Sequence, residues 1–150
     1  MKLAEALIER ADLQKRIAQL EGRLLANARV QEGESPAEDP NELLQELDRS
    51  LCQLENLIVR INHTNDNVTD NGQTLTVLLA QRDCLTLRLK VLRSFLQNAS
   101  AVVSRSSLSE IKIKSTVPVA QLQKQLDAFS CQRRELDTRI QGLNWTTELL

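Results

Sequence analysis

Apolar residues recur along this chain every three or four positions, a period that predicts helices rather than strands. Over about 2–30 the row is Leu3, Leu7, Leu13, Ile17, Leu20 and Leu24, whose last four members step by 4, 3 and 4, a heptad spacing. Over about 41–65 the row is Leu44, Leu47, Leu51, Leu54, Ile58 and Ile61, with Leu43 and Leu57 widening the stripe beyond a single row. That spacing predicts that Leu51 and Leu54 are buried. A third helix is predicted over about 75–103, through Leu75, Leu78, Leu79, Leu85, Leu89, Leu92, Leu96 and Ala99. A fourth is predicted over about 118–142, through Leu122, Leu126, Phe129, Arg133, Leu136, Ile140 and Leu143.

The punctuation between these rows fits. Gly33 supplies a stop for the first helix. Asp39-Pro40-Asn41-Glu42 supplies a restart: the Asp39 carboxylate can accept from free amides, Pro40 suits the first helical position and Glu42 completes a capping box. The polar run Asn62–Asn67 ends the second row, Asn71-Gly72 marks a turn, and Thr74 can cap the third helix. Pro118 opens the fourth helix and Gly142 loosens its end. One stretch changes period. In Glu110–Val117 the residues Ile111, Ile113 and Val117 share one side and charges take the other, the pattern of a strand. A lone strand needs a partner. Candidates are the short stretches around Val68 and Gln73–Leu75, or a second copy of the chain. The predicted fold is therefore mainly all-α: four long helices as antiparallel coiled-coil hairpins or a bundle, one small β element between helices 3 and 4, and one domain over 1–150.

Composition sharpens this picture. The 150 residues include 27 Leu but two Phe, one Trp and no Tyr, with four Gly and three Pro. So few turn residues exclude collagen and disfavour most β-sandwiches. Net charge is −1, which gives no general drive toward nucleic acid or anionic membrane. Locally, residues 31–57 hold eight acids and one base, while 75–105 hold five bases and one acid. Two such blocks suggest neighbouring helices with matched faces; an anion-binding patch on the basic stretch is the alternative. Cys52, Cys84 and Cys131 match no zinc or redox spacing and read as reduced thiols. No signal-like apolar region follows Met1, and no run reaches the roughly 18 apolar residues that a membrane span requires. The expected location is cytoplasmic, where the four Asn-x-Ser/Thr sequons would carry no meaning.

Candidate chemistry is sparse. His63 is the sole histidine. A Ser/His/Asp triad, a Cys/His pair or a two-histidine metal site each requires it or more than it. Carboxylate pairs such as Glu5 with Glu9 and Glu42 with Glu46 read as solvated, and no glycine-rich phosphate loop is present. No cofactor, metal site or catalytic residue is expected. Trp145 stands within a few turns of Arg133, Arg134 and Arg139, a thin basis for nucleic-acid stacking. As an apolar anchor it suits a core or an interface. Arg133 interrupts an apolar row, which fits either a register-setting polar position or a snorkelling side chain. Leu43, Leu57, Leu87 and Val91 exceed what one stripe per helix requires. That surplus and the unpaired strand predict a homo-oligomer built from dimers, with Ile111, Ile113, Arg133 and Trp145 at an interface.

The chain also resembles a known family. Met1–Gln14, Val30–Glu34, Arg60-Ile61-Asn62, Thr64-Asn65, Arg82-Asp83, Ser109–Lys112 and Leu136–Thr147 are similar to small bacterial proteins called septicolysin-like, over nearly the full chain. The resemblance implies a helical protein with no assigned active site. The family label implies a cytolysin, to which a chain with three aromatics and no spanning run is poorly suited. The helix–acidic loop–helix shape is similar, by pattern alone, to the antiparallel arm of seryl-tRNA synthetases. The expected function is a cytoplasmic homo-oligomeric binding or structural module. Behind it stand a nucleic-acid-associated helical arm, an enzyme with a subunit-interface site and, last, a membrane-active cytolysin. No membrane partner is expected, nucleic acid is disfavoured, and no small-molecule ligand is indicated.

Overall fold

The computed structural model describes residues 1–101 and 112–150. Its elements are helix α1 (Leu3–Ala26), helix α2 (Pro40–Asn67), strands β1 (Thr69–Asp70) and β2 (Gln73–Thr74), helix α3 (Leu75–Ser100) and helix α4 (Val119–Thr146). This is the all-α class with a single small sheet among the described residues. The sheet lies between α2 and α3, from the two short stretches near Val68 and Gln73. The strand expected at 110–117 is corrected in part: residues 110 and 111 lie outside the described residues, and 112–117 carry no strand. Period-two alternation over so few residues supplies no ladder partner, whereas β1 and β2 reach each other across a two-residue turn. Asn71 and Gly72 both take positive φ, 50° and 77°, as that turn requires, and the register pairs Thr69 with Thr74 and Asp70 with Gln73.

The chain divides into two compact units, Met1–Thr74 with Gly142–Leu150, and Leu75–Gln141. In the first unit α1 and α2 run antiparallel. The buried row of α1 is Leu3, Ala6, Leu13 and Leu20, with Ile17 half-buried within it and Leu24 half-buried beyond it. The buried row of α2 is Leu43, Ser50, Leu57, Ile61 and Thr64, with Leu47 and Leu54 half-buried. This corrects the predicted row. Leu51 is 44% exposed, and positions 43, 50, 57 and 64 replace 44, 51 and 58. The heptad spacing survives in a phase set one residue earlier, because two small hydroxyl residues can be buried. The Ser50 Oγ donates to the Glu46 carbonyl at 2.8 Å and the Thr64 Oγ1 to the Arg60 carbonyl at 2.8 Å, so neither hydroxyl lacks a partner.

Helix boundaries follow local chemistry. Asp39 caps α2 as expected, its carboxylate accepting from the Asn41 N–H at 2.8 Å, with Pro40 in the first turn. α1 stops earlier than Gly33. Its end is Asn27, whose side chain donates to the Arg23 carbonyl at 2.9 Å and accepts from the Glu38 N–H at 3.0 Å. One buried amide thus terminates the helix and pins the far end of the loop. Gly33, at φ 87°, serves a turn within that loop. The polar run from Asn62 stays helical to Asn67, and α4 continues through Gly142 to Thr146.

The tail closes on the first unit. Lys2 and Glu148 form an antiparallel bridge, in which the Leu3 N–H donates to the Thr147 carbonyl and the Leu149 N–H to the Met1 carbonyl, both at 2.9 Å. The Leu150 N–H donates to Thr64 Oγ1 at 3.0 Å, and Arg60 Nε donates to the Leu150 carbonyl at 2.9 Å. Leu149 and Asn144 are buried there, whereas Trp145 is 56% exposed. The core role open to Trp145 therefore falls to Leu149, since α4 turns the indole outward.

The second unit is the α3–α4 hairpin. Leu89, Leu96 and Leu126 form its buried cluster, with Leu92, Val119, Leu122 and Phe129 packed against it. The Arg88 guanidinium lies 4.8 Å from the centroid of the Phe129 ring.

Candidate functional site

Of the predicted interface residues, Ile111 lies outside the described residues. Ile113 is 50% exposed in a segment without regular structure. Trp145 projects from the last turn of α4 in the first unit. Arg133 sits on the α4 row as predicted, half-buried, and its Nε donates to Thr86 Oγ1 across the hairpin at 2.9 Å. A second arginine, Arg82, absent from the predicted apolar row, takes the matching position on α3. The α3 row then reads Leu75, Leu78, Arg82, Leu85, Leu89, Leu92, Leu96 and Ala99, in unbroken heptad steps. Arg82 pairs with Asp83 at 2.8 Å and approaches Asp137 at 4.0 Å. Position in the heptad, rather than hydrophobicity, was the available signal for Arg82.

Among the described residues, ion pairs of the acidic stretch run to α1: Arg23 to Glu38 and to Glu46, and Arg16 to Glu46. The Arg23 guanidinium holds the Glu38 carboxyl below the usual carboxylate range, and Arg23 itself is raised. The Lys2 ammonium, and secondarily the amino group of Met1, does the same to Glu148. These groups are exposed, so each pair fixes geometry more than it adds stability.

Concave sites are shallow. A hollow of about 690 Å³ beside α1 is bordered by Glu5, Glu9, Asp12, Arg16 and Gln53. One of about 360 Å³ in the second unit is bordered by Cys84, Arg88 and Gln132. Neither sets a Cys, Ser or Thr side chain beside a His. Among the described residues no three His, Cys, Asp or Glu side chains converge as a metal site would require. His63 is exposed on α2, its carbonyl accepting from Asn67 Nδ2 at 2.8 Å.

The feature that stands apart is the outer side of α3. Val77, Ala80, Cys84, Leu87, Val91, Ser94 and Asn98 step by 3, 4, 3, 4, 3 and 4, a second heptad row with no charged member. It lies about 150° round the helix from the buried row, at 100° per residue. Every member is exposed, Leu87 at 62% and Val91 at 67%. Only Leu87 and Val91 stand out from the sequence. The small residues between them hide the periodicity. Scattered exposed apolar residues are ordinary on a protein surface, whereas a continuous heptad row is the pattern by which helices pack.

Two antiparallel helical hairpins, one closed by its own tail, define a helical protein whose distinctive surface is a second heptad row. The chain belongs to a family of unknown function, DUF6847, whose model matches residues 10–149. It is similar to a functionally unknown conserved protein from Corynebacterium diphtheriae, known from a crystal structure. The two share 38% identity and a TM-score of 0.93, with 100% of this chain and 99% of that one covered. No curated protein matches it.

Proposed function

We propose that this protein is a homo-oligomeric structural or binding module, assembled from dimers through helix–helix contact. The uncharged heptad row on α3, every member of which is exposed, carries this reading. A helix with two apolar rows about 150° apart has more packing surface than one hairpin partner can cover. Closed two-fold assembly is the commonest way for such a surface to be buried. Ile113 and Trp145 are proposed as secondary contacts. The Arg133 Nε is already engaged with Thr86 inside its hairpin. A reducing, cytoplasmic setting suits three exposed free thiols. The likeness to septicolysin-like proteins brings no lytic role into this reading. Among the described residues no helix is long and apolar enough to cross a membrane.

The test is the mass in solution. Light scattering at micromolar concentration is expected to give a multiple of the 16.9 kDa chain. Leu87→Lys combined with Val91→Lys is expected to return it to the single-chain mass with helicity unchanged. A wild-type mass near that of one chain overturns the proposal.

A further inference from the structure

We propose that the partner of the outer α3 row is the same row of a second copy, packed antiparallel about a two-fold axis passing between residues 85 and 86. This rests on the oligomeric reading above and specifies the orientation and register. In an antiparallel pair of heptad helices, each layer joins an a position of one helix to a d position of the other. With Val77, Cys84 and Val91 as a, and Ala80, Leu87 and Ser94 as d, one register pairs all six, and Asn98 falls beyond the start of the partner helix. Cys84 faces Leu87 of the copy, Ala80 faces Val91, and Val77 faces Ser94, and each contact is repeated by symmetry. Every layer then sets a smaller side chain against a larger one, which keeps the separation of the helices even. A parallel pair would instead stack Ala80 on Ala80 and Leu87 on Leu87, thin beside thick.

Charge complements this arrangement; a parallel pair would bring Asp83 beside Arg88 of the copy, so the layers and not the charges choose the direction. The flanking positions on one side of the row are Thr76, Asp83, Lys90 and Gln97. The antiparallel register places Asp83 of each copy beside Lys90 of the other, two opposite-charge contacts related by the axis. The Asp83 side chain is 65% exposed, and its Oδ1 accepts from Arg82. The competing face on α2 fails the same test. Leu44 and Leu51 are exposed there, but Asp48 and Glu55 lie beside them, acids that would meet the same acids of a second copy. Like charges across an interface disfavour association, so the neutral row with complementary flanks is the one built for a second copy.

Cysteine cross-linking reads both orientation and register. In a background of Cys52→Ser and Cys131→Ser, which alters two exposed thiols, Leu87→Cys with native Cys84 is expected to form an intermolecular disulfide in most of the chain on mild oxidation. Cys84 alone, and Leu87→Cys with Cys84→Ser, are expected to stay near background. Cross-linking by either single thiol at the level of the pair would show a parallel or collisional contact and overturn the inference. An oligomeric mass with both thiols still free in the paired variant would place the interface elsewhere, overturning the inference while leaving the oligomeric reading intact. A single-chain mass would sink both. As an independent reading, Asp83→Lys is expected to weaken self-association about tenfold, and adding Lys90→Asp to restore it. Failure of the double variant to recover would show that Asp83 acts only through Arg82, and would remove the charge argument.

Discussion

Ser50 and Thr64 occupy positions that side-chain hydropathy assigns to a helix surface. Both are buried because each hydroxyl satisfies itself on the carbonyl four residues back. Their smallness permits close approach, and Leu51, one position after Ser50, turns outward. The consequence is measurable. Leu57 is buried and Leu51 is half in water. Leu57→Ala is expected to lower unfolding free energy in urea by about 2–5 kcal/mol, from lost burial and a residual cavity. Leu51→Ala is expected to stay within about 0.5 kcal/mol, as exposed substitutions do. Equal costs would restore the row read from hydropathy alone. Within Leu44–Ile61 the heptad period was legible in the sequence. Its phase was not, since hydropathy cannot register a hydroxyl that bonds its own helix.

At the scale of elements, turn chemistry was the most legible part. Asp39-Pro40 and Asn71-Gly72 perform the roles their residue types dictate, because capping and positive φ are local demands. Gly72 and Gly142 separate two uses of glycine. At φ 77° Gly72 holds a conformation that costs an L-residue roughly 1–2 kcal/mol, so Gly72→Ala is expected to destabilise by about that much. Gly142 lies within α4 with open space where a Cβ would stand. Gly142→Ala is expected to stabilise the protein by about 0.5–1 kcal/mol through helix propensity. Paired chemical denaturation curves check both signs, and a loss of stability at position 142 would contradict the helical assignment there. Asn27 was not legible. Its value lies in reaching Glu38 across eleven positions, a contact that exists only once the loop has folded back.

At the scale of the first unit, Lys2 and Glu148 draw the two ends of the chain together, and the bridge has a pH dependence of definite sign. The Lys2 ammonium depresses the Glu148 carboxyl in the folded state. Its contribution is therefore fully present above the ordinary carboxylate range and lost as pH falls through the depressed folded value. Amide exchange at Leu3 and Leu149, the two donors of the bridge, is expected to lose protection on acidification through that window. In Glu148→Gln the protection is expected to be lower at neutral pH and flat across the window. Retention of the wild-type pH profile in that variant would assign the effect to another group.

For the molecule as a whole, the sequence by itself determined four helices, their approximate limits, the Asn71-Gly72 turn and the α4 row through Arg133. Each follows from periodicity or from residues a few positions apart, which local sterics and hydrogen bonding settle. Tertiary structure decided the phase of the α2 row, the outward turn of Trp145, the placement of Arg82 opposite α4 and the bridge from Lys2 to Glu148. It also decided which of two apolar rows on α3 is covered. A heptad row states that a helix will pack but not against what, since burial is a property of pairs of surfaces and not of residues. The row through Leu89 and Leu96 found α4, and the row through Leu87 and Val91 was left facing solvent.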